Sequence, residues 1–396
     1  MPVGCRGKPA MNKHRMNKEL FSFAARLRLA AAWQTQDRRF DELALELFAL
    51  QFKHNAAYRK ICEARGRIPI DVEHWTQIPA VPAAAFKELE LTSLAPDERT
   101  SVFYSSGTTG QKPGRHFHNS ESLAVYEASL WDWFEQNIFA DSKFKIQNSN
   151  LIVLTPPPAQ APHSSLVHMF EIVRQKLGAA GSAFTGKIST DGCWSLDFDA
   201  VLAALDTPHS AFRTPQLILG TAFSFVHLLD FLKENDLQFR LPENSRVMET
   251  GGYKNRSRSL PKSGLHALIT ERLGIEPENI ICEYGMSELS SQAYAVTSDK
   301  WQVTSKTETT RHSSLITHHF HFPPWARAQI VSPETGREVG EDETGLIRIF
   351  DLANVFSVAA IQTEDLGVRR GDGFELVGRA QLAEPRGCSL MAADLK

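Results

Sequence analysis

The spacing of apolar residues separates the first hundred residues from the rest of the chain. Between Phe21 and about Ala64, apolar residues recur at helical spacing with charged residues between them, which predicts helices. Prolines at positions 69, 79 and 82 then interrupt this spacing. Because proline removes a backbone donor and disfavours helix interiors, we expect Thr76–Ala84 to be an extended connection into the next helix.

Beyond Thr100, short aliphatic or β-branched runs alternate with helical patterns. Five runs end at polar or glycine-rich loops and predict buried strands: Ser101–Tyr104, Leu151–Leu154, Leu217–Leu219, Arg246–Met248 and Ile280–Cys282. Four patterns between them predict helices: Ser120–Phe134, Leu166–Leu177, Phe225–Asn235 and Gly264–Leu273. Strands that alternate with helices are typical of an α/β fold with largely parallel sheets, in which ligands bind at the carboxyl ends of the strands.

The pattern changes again at Ala328. The runs Ala328–Val331 and Gly345–Phe350, together with the turn Ser332–Gly336, predict an antiparallel hairpin in a small β-rich subdomain. The chain is therefore divided into five parts: a basic N-terminus (1–20), a helical N-terminal region (21–100), an α/β core (101–327), a small β subdomain (328–379) and a C-terminal tail (380–396).

The composition is that of a globular protein. Hydrophobic residues make up 42% of its 396 residues, enough for one large or two ordinary domains with a substantial core. The net charge of -3 creates no strong field toward nucleic acid or an acidic membrane. No apolar run approaches the roughly 20 residues that span a bilayer, and the basic start lacks the apolar segment of a signal peptide. Five widely spaced cysteines indicate free thiols, so we expect a cytoplasmic protein with neither a transmembrane segment nor a nucleic-acid partner.

The strongest chemical signal is the loop Tyr104–Gly114, where hydroxyls and glycines precede a lysine. Such a loop can direct backbone NH groups, hydroxyls and one ammonium at a polyphosphate, because glycine lets the backbone approach the anion closely. It does not match the GxxxxGK(S/T) loop of the common nucleoside triphosphatases, because Gly107 and Lys112 are too close together for that spacing and Pro113 follows the lysine. The alternative is an exposed turn, but a predicted strand leads into the loop. The candidate phosphate-binding residues are Ser105, Ser106, Gly107, Thr108, Thr109, Gly110 and Lys112.

This Ser-Ser-Gly-Thr-Thr-Gly-x-Lys-Pro loop resembles the phosphate-binding signature of the adenylate-forming superfamily. Three further segments follow in that superfamily's order: Glu249–Lys254, Tyr284–Glu288, and Thr363–Asp365 with Gly378–Arg379. The resemblance implies the large domain of an adenylate-forming enzyme, in which stacked α/β sheets are followed by a small β subdomain. It also implies that ATP activates a carboxylic acid as an acyl-adenylate.

The same resemblance implies roles for the motif residues. The implied ATP ligands are Gly251 and Gly252 at the adenine, Tyr284 stacked on it, Gly285 and Ser287 in the α-phosphate motif, Glu288 on Mg2+, and Asp365 and Arg379 at the ribose. The residue types suit these roles, since Mg2+ on a polyphosphate needs only one or two carboxylates. A carboxylate such as Asp365 can accept both ribose hydroxyls, and we expect it to do so from the end of a strand. The family's middle glycine is Glu364 here, and the alternative for Asp365 is a turn residue before Gly367.

The end of the chain resembles one branch of the superfamily. Elsewhere in the superfamily a second domain with a catalytic lysine follows the Gly-Arg motif, whereas this sequence ends at Lys396, so we expect that domain to be absent. The segment Arg386–Leu390 resembles the terminal cysteine motif of the acyl-protein synthetase family of bacterial bioluminescence, the LuxE type. Thr155–Pro158 and Ser164–Met169 resemble that family's substrate loop and helix. The resemblance implies a fatty acid substrate, transfer of the acyl group to Cys388, and a partner acyl reductase.

Two catalytic roles suit the residue types. Cys388 would be the nucleophile, since a thiolate is a strong one and Arg386 nearby can lower the thiol pKa, whereas the alternative is an inert buried thiol. Lys112 would offset negative charge as pyrophosphate leaves. His163 and His168 flank the expected acyl pocket, where each either orients the substrate carboxylate or caps a helix.

Three alternatives stay open beside this interpretation. The cluster of His312, His318, His319 and His321 permits a metal site, but no carboxylate or cysteine completes a ligand set nearby, which favours a partly exposed strand. An acyl- or aryl-CoA ligase resembling the phenylacetate-CoA ligases shares two motifs, although the expected loss of the second domain argues against it. A non-catalytic nucleotide-binding subunit is the third, against which intact Lys112 and Glu288 argue.

Overall fold

The structure is a computed structural model that describes residues 18–28, 37–105, 112–139, 150–178, 181–190, 192–206, 214–251, 260–296 and 319–380. Within these ranges the α-helices are α1 (Lys18–Arg28), α2 (Asp37–His54), α3 (Ala56–Ala64), α4 (Ala85–Glu88), α5 (Ser120–Ile138), α6 (Ser165–Leu177), α7 (Phe198–Leu205), α8 (Ala222–Glu234) and α9 (Lys262–Leu273). The strands are β1 (Val81–Pro82), β2 (Ser101–Tyr104), β3 (Arg115–His118), β4 (Asn150–Val153), β5 (Ala183–Phe184), β6 (Gly186–Ile188), β7 (Trp194–Leu196), β8 (Gln216–Thr221), β9 (Arg246–Thr250), β10 (Ile280–Tyr284), β11 (Ala293–Val296), β12 (His319–Phe320), β13 (Ala326–Val331), β14 (Thr344–Asp351), β15 (Ala360–Arg370) and β16 (Gly373–Arg379).

The centre of the molecule is a six-stranded sheet in the order β11-β10-β9-β8-β4-β5. Its strands run parallel except β11, which is antiparallel at one edge. Every residue of β9 and β10 is buried, as expected of parallel strands that helices cover on both faces. Helices α5 and α6 pack on one face, and α7, α8 and α9 pack on the other. The predicted α/β class is confirmed.

A second, largely antiparallel sheet has the order β12-β16-β15-β14-β13. Strand β1 joins it in parallel with β15, so that Val81 pairs with Ile361. Helices α1, α2 and α3 bury Phe23, Phe40 and Tyr58 in the same apolar cluster as Ile361 and its neighbours in this sheet. The N-terminal helices and the second sheet therefore share one hydrophobic core.

Two buried side-chain amides, Gln51 on α2 and Asn55 at the N-cap of α3, fasten these helices to the loop between β14 and β15. The Gln51 side chain donates to the Asn354 carbonyl at 2.8 Å and accepts from the Ala359 amide at 3.0 Å. Asn55 donates to the Ser357 carbonyl at 3.3 Å, and its oxygen caps α3. Because a buried polar group without a partner is costly, these bonds fix the position of the helix on the loop.

The predicted strands and helices are present within a few residues of their expected bounds. Ser101–Tyr104 was predicted to be a buried strand, but it lies in a two-stranded hairpin and only one of its four residues, Phe103, is buried. Helix α8 begins earlier than predicted because Thr221 caps it, accepting from the Ser224 amide at 3.0 Å. The predicted extended connection contains β1, which follows a short 3-10 helix at Trp75–Gln77. The predicted hairpin is formed by β13 and β14. Among the described residues, none of the helices combines the length and apolar character needed to cross a bilayer.

Candidate active site

Strands β2 and β3 form a hairpin that brings together the two ends of the loop Tyr104–Gly114, called here the hydroxyl-rich loop. Tyr104 pairs with Arg115 in the last register position of the two strands. Beyond it, the Ser105 amide donates to the Gly114 carbonyl at 3.0 Å, and the Gly114 amide donates to Ser105 Oγ at 2.7 Å. Lys112 is exposed. The remaining candidates Ser106, Gly107, Thr108, Thr109 and Gly110 lie outside the described residues.

Glu288 meets the base of this hairpin at Gly114. A Cβ atom added to Gly114 would lie 2.9 Å from Ser105 Oγ and 3.1 Å from Glu288 Oε1. Ser287 Oγ donates to Glu288 Oε2 at 3.0 Å. Burial raises the pKa of Glu288 above its ordinary value, partly offset by this hydrogen bond. A cation beside the carboxylate would favour its ionised form, so Glu288 is suited to hold Mg2+ on a polyphosphate.

His116 contacts the segment that contains Ser287 and Glu288, and it was not among the site residues predicted from the sequence. Its Nδ1 lies 2.8 Å from the Ser287 carbonyl oxygen. Burial lowers the pKa of His116 to about 4, so the ring is neutral at pH 7. Because a carbonyl only accepts hydrogen bonds, Nδ1 carries the proton and donates it. The alternating burial of β3, with His116 and His118 inward, is the pattern that could have indicated this role.

Tyr284, Asp365 and Arg379 form a second group of predicted site residues. The Tyr284 hydroxyl, at the end of β10, donates to Asp365 Oδ2 at 2.9 Å. Arg379 Nε lies 3.3 Å from Asp365 Oδ1, across the register pair that joins β15 and β16. The Arg379 side chain is 71% exposed, so this ion pair adds little stability and leaves the guanidinium accessible to a ligand.

The expected position of Asp365 at the end of a strand is wrong, and so is its alternative. Asp365 is neither at the end of a strand nor in a turn before Gly367, but lies inside β15, which continues to Arg370. The register of β15 with β14 shifts here, so that three residues of β15, 363–365, lie opposite the single residue Ile347 of β14. Such irregularities re-aim neighbouring side chains, which is how a mid-strand carboxylate faces Tyr284.

The glycines of the adenine and phosphate motifs follow adjacent strands. Gly251, just beyond β9, has φ +72°, a backbone conformation that side chains rarely adopt. A Cβ on Gly285, just beyond β10, would lie 2.4 Å from Glu283 Oε1. Glu283 itself is buried and accepts a hydrogen bond from the Thr250 hydroxyl. This contact joins the ends of β9 and β10. Gly252 lies outside the described residues.

The two candidate substrate histidines lie near the same hairpin. His163 packs on the Tyr104 ring at 4.7 Å, and its Nδ1 lies 3.1 Å from the Val102 carbonyl. His168 Nε2 lies 3.0 Å from Glu127 Oε1. Ser164 caps α6, accepting from the Val167 amide, so neither histidine has the capping role that was its alternative.

A row of aromatic and imidazole rings runs from His116, which contacts the residue before Glu288, to His168. His116 and His118 lie 4.2 Å apart, His118 lies 4.7 Å from Phe103, and Phe103 lies 5.3 Å from His168. The row begins at the Ser287 carbonyl that His116 contacts. The expected acyl pocket and the expected phosphate site are thus joined by direct packing.

The remaining candidates are only partly described. His319 lies in β12, and His321 follows it with Nδ1 3.4 Å from Asp372 Oδ1. His312, His318 and the proposed nucleophile Cys388 lie outside the described residues. Among the residues that are described, the group with metal-ligand geometry is instead Glu249, His266 and Cys282, which spacing in the sequence did not indicate.

The fold is that of the adenylate-forming enzymes. The structure is similar to an open conformation of 2-hydroxyisobutyryl-CoA ligase in complex with 2-HIB-AMP and CoA, with a TM-score of 0.61 and 14% sequence identity over 90% of this chain and 77% of that one. The same ligase in its thioesterification state gives a TM-score of 0.57 over 93% and 68% of the two chains.

Sequence comparison identifies the family of this chain within the adenylate-forming fold. A long-chain-fatty-acid–luciferin-component ligase of Vibrio harveyi is 24% identical over 90% of this chain and 89% of its own length. The protein of the same name from Aliivibrio fischeri is 23% identical over 92% and 90%. Residues 18–395 match the model of the family described as acyl-protein synthetase, LuxE, and the chain belongs to this family. The predicted family is confirmed.

Proposed function

We propose that this protein is an acyl-protein synthetase that activates a long-chain fatty acid with ATP and then carries the acyl group on a cysteine. The convergence of two groups of residues on the segment after β10 carries the proposal: Glu288 meets Ser105 at Gly114, and Tyr284 binds Asp365 beside Arg379. One group suits a polyphosphate and the other a ribose. The names of the Vibrio harveyi and Aliivibrio fischeri relatives support a fatty acid as the substrate.

In the first step, a carboxylate oxygen of the fatty acid attacks the α-phosphorus of ATP. The bond from that phosphorus to the bridging oxygen breaks, pyrophosphate leaves, and the acyl-adenylate remains. Asp365 and Arg379 hold the ribose, while Lys112 and the hydroxyl-rich loop offset negative charge. Glu288 would hold Mg2+, which supplies further charge neutralisation on the phosphates.

His116 and Gly114 keep this arrangement in position. The neutral His116 ring fixes the Ser287 carbonyl, and the missing side chain of Gly114 lets Glu288 approach Ser105. His163 and His168 are proposed to border the fatty acid, with His168 held by Glu127. A preorganised site of this kind lowers the barrier because its groups need little rearrangement as charge develops.

In the second step, the Cys388 thiolate attacks the acyl carbon, the bond to AMP breaks, and a thioester forms. The acyl group then passes to a partner protein, which we propose to be an acyl reductase. A reducing compartment such as the cytoplasm, which we also propose, would keep this thiol available.

Intact-protein mass spectrometry after incubation with ATP, Mg2+ and a long-chain fatty acid tests the proposal. We expect an acyl-sized mass gain that hydroxylamine removes. Cys388→Ala should abolish the gain but retain ATP–pyrophosphate exchange, whereas the matched control Cys193→Ala should change neither. Absence of a mass gain, with AMP formed only when coenzyme A is added, would replace this function with that of a CoA ligase.

A further inference from the structure

Three side chains with metal-binding atoms meet between the central sheet and α9, away from the hydroxyl-rich loop. Glu249 and Cys282 are register partners on the parallel strands β9 and β10, so their side chains project from the same face. His266 faces them from α9. All three are buried, and Glu249 and Cys282 are fully so. The three residues come from the rigid elements of the fold.

The distances between their ligand atoms suit one tetrahedral ion. Cys282 Sγ lies 3.7 Å from His266 Nε2, and His266 Nε2 lies 3.5 Å from Glu249 Oε1. All three ligand atoms lie within 4.8 Å of one another. Zinc bound at about 2.3 Å to sulfur and about 2.0 Å to nitrogen or oxygen requires ligand–ligand distances of about 3.3 to 3.6 Å. A single ion could therefore contact all three with side-chain adjustment alone.

The cluster already attracts a cation. Lys262, the first residue of α9, places Nζ 2.6 Å from Glu249 Oε1. Burial acts to raise the pKa of Glu249, but the Lys262 ammonium and hydrogen bonds from His266 and Cys282 outweigh it and bring the pKa down to about 2. Glu249 is thus ionised at neutral pH, and its other oxygen, Oε2, has no hydrogen-bond partner among the described residues.

A metal ion could displace the Lys262 ammonium because the lysine side chain is only partly buried. It is 31% exposed, whereas that of Glu249 is completely buried. A long lysine side chain can keep its methylene groups packed and turn its ammonium to water. Once the ammonium of Lys262 has moved away, a water molecule could occupy the fourth coordination position of a tetrahedral ion.

We propose that Glu249, His266 and Cys282 form a site for a zinc-like divalent ion, with Lys262 as the competing cation. Thiolate and imidazole ligands select such ions over Mg2+, which prefers oxygen, so this site is chemically distinct from that at Glu288. Binding requires Cys282 to release its proton to solvent. The ion would fasten α9 to β9 and β10 just before Gly251 and Tyr284.

Cobalt titration of the chelator-treated full-length protein tests this site. We expect about one equivalent of Co2+ to produce a thiolate-to-metal charge-transfer band that Zn2+ abolishes. Cys282→Ser should remove the band, and His266→Gln should weaken binding by at least about tenfold, a loss seen even for residues that only orient ligands. Cys62→Ser, which removes another buried thiol, should leave the band unchanged. Lys262→Met should tighten binding.

A second measurement does not depend on the folding of a variant. Zn2+, but not Mg2+, should raise the melting temperature of the chelator-treated wild-type protein, because a ligand that binds only the folded state stabilises it. If neither wild type nor Lys262→Met binds Co2+ at micromolar concentrations, Lys262 is the permanent cation of the cluster and the proposal is wrong. A band that persists in Cys282→Ser would also overturn it, since the thiolate would then lie elsewhere.

Discussion

Replacement of Glu283 by glutamine should make the protein more stable at alkaline pH than the wild type. Glu283 is buried at the junction of β9 and β10, where the Thr250 hydroxyl donates to it. Burial raises its pKa from the ordinary 4.5 to about 7, with the Thr250 hydrogen bond acting against this rise and the charge of Glu249 adding to it. Glutamine keeps the shape and an acceptor for Thr250 but carries no charge at any pH.

The sign of the effect follows from proton binding. With a pKa near 7 in the folded state and an ordinary 4.5 after unfolding, the folded protein holds the Glu283 proton more tightly. Between pH 4.5 and 7 wild-type stability therefore falls as pH rises, and the full cost is present above pH 7. At about 1.4 kcal/mol per pKa unit the full cost is about 3 kcal/mol, most of which develops between pH 5 and 8.

Urea denaturation of wild type and Glu283→Gln at pH 5 and pH 8 measures this cost. The free energy of unfolding of the variant, relative to wild type, should increase by about 2 to 3 kcal/mol between the two pH values. Comparing the two proteins at each pH cancels the titration of groups that they share. Glu234→Gln, at an exposed position on α8, should show no such increase. A difference that does not change with pH would refute the assignment of Glu283 as a buried carboxyl that is neutral in acid.

Three further substitutions test the candidate active site. Gly114→Ala should lower the free energy of unfolding, measured by urea denaturation, by about 1 to 3 kcal/mol and reduce ATP–pyrophosphate exchange, because the new Cβ displaces Ser105 Oγ. The control Gly264→Ala, whose Cβ would lie no closer than 3.5 Å to a neighbour, should retain exchange. Asp365→Asn should raise the KM for ATP about tenfold or more in steady-state kinetics, because a charged acceptor contributes about 1.5 to 3 kcal/mol, and an unchanged KM would exclude it from the ribose site. Glu288→Gln should abolish ATP–pyrophosphate exchange at every Mg2+ concentration. It should not lower the melting temperature at pH 7, because burial already raises the pKa of the Glu288 carboxyl and glutamine places no charge there. Normal exchange in this variant would exclude Glu288 as a metal ligand.

The secondary structure could be predicted because its signals are local. The run 280–282 and the pair Val247 and Met248 are apolar since helices cover both faces of a parallel strand, and the structure has strands there. The pairing of β1 with β15 could not be predicted, because it joins Val81 to Ile361 through backbone bonds that leave no pattern in the sequence. The domain boundaries are still predictions.

The motifs of the candidate site were predictable, but the residues that position them were not. Each motif is a short segment, and the fold brings Tyr284, Asp365 and Arg379 together and places Glu288 against Gly114. His116 contacts Ser287 across 171 positions of sequence, so no spacing rule relates them. Asp365 was expected at the end of a strand, and its place inside β15 could not be predicted because the register shift that accommodates it depends on the pairing with β14.

The shared core of the N-terminal helices and the second sheet sets the order of events during synthesis. Gln51 finds its partner Asn354 only after 303 further positions have been made. At about 5 to 20 residues per second, ribosomes need roughly 15 to 60 s for that length. Throughout this time the apolar faces around Phe23, Phe40 and Phe48 lack the sheet that buries them in the finished protein. The nascent chain thus exposes apolar surface near its beginning until the second sheet is made, whereas the central sheet, whose strands all lie between residues 150 and 296, can form first.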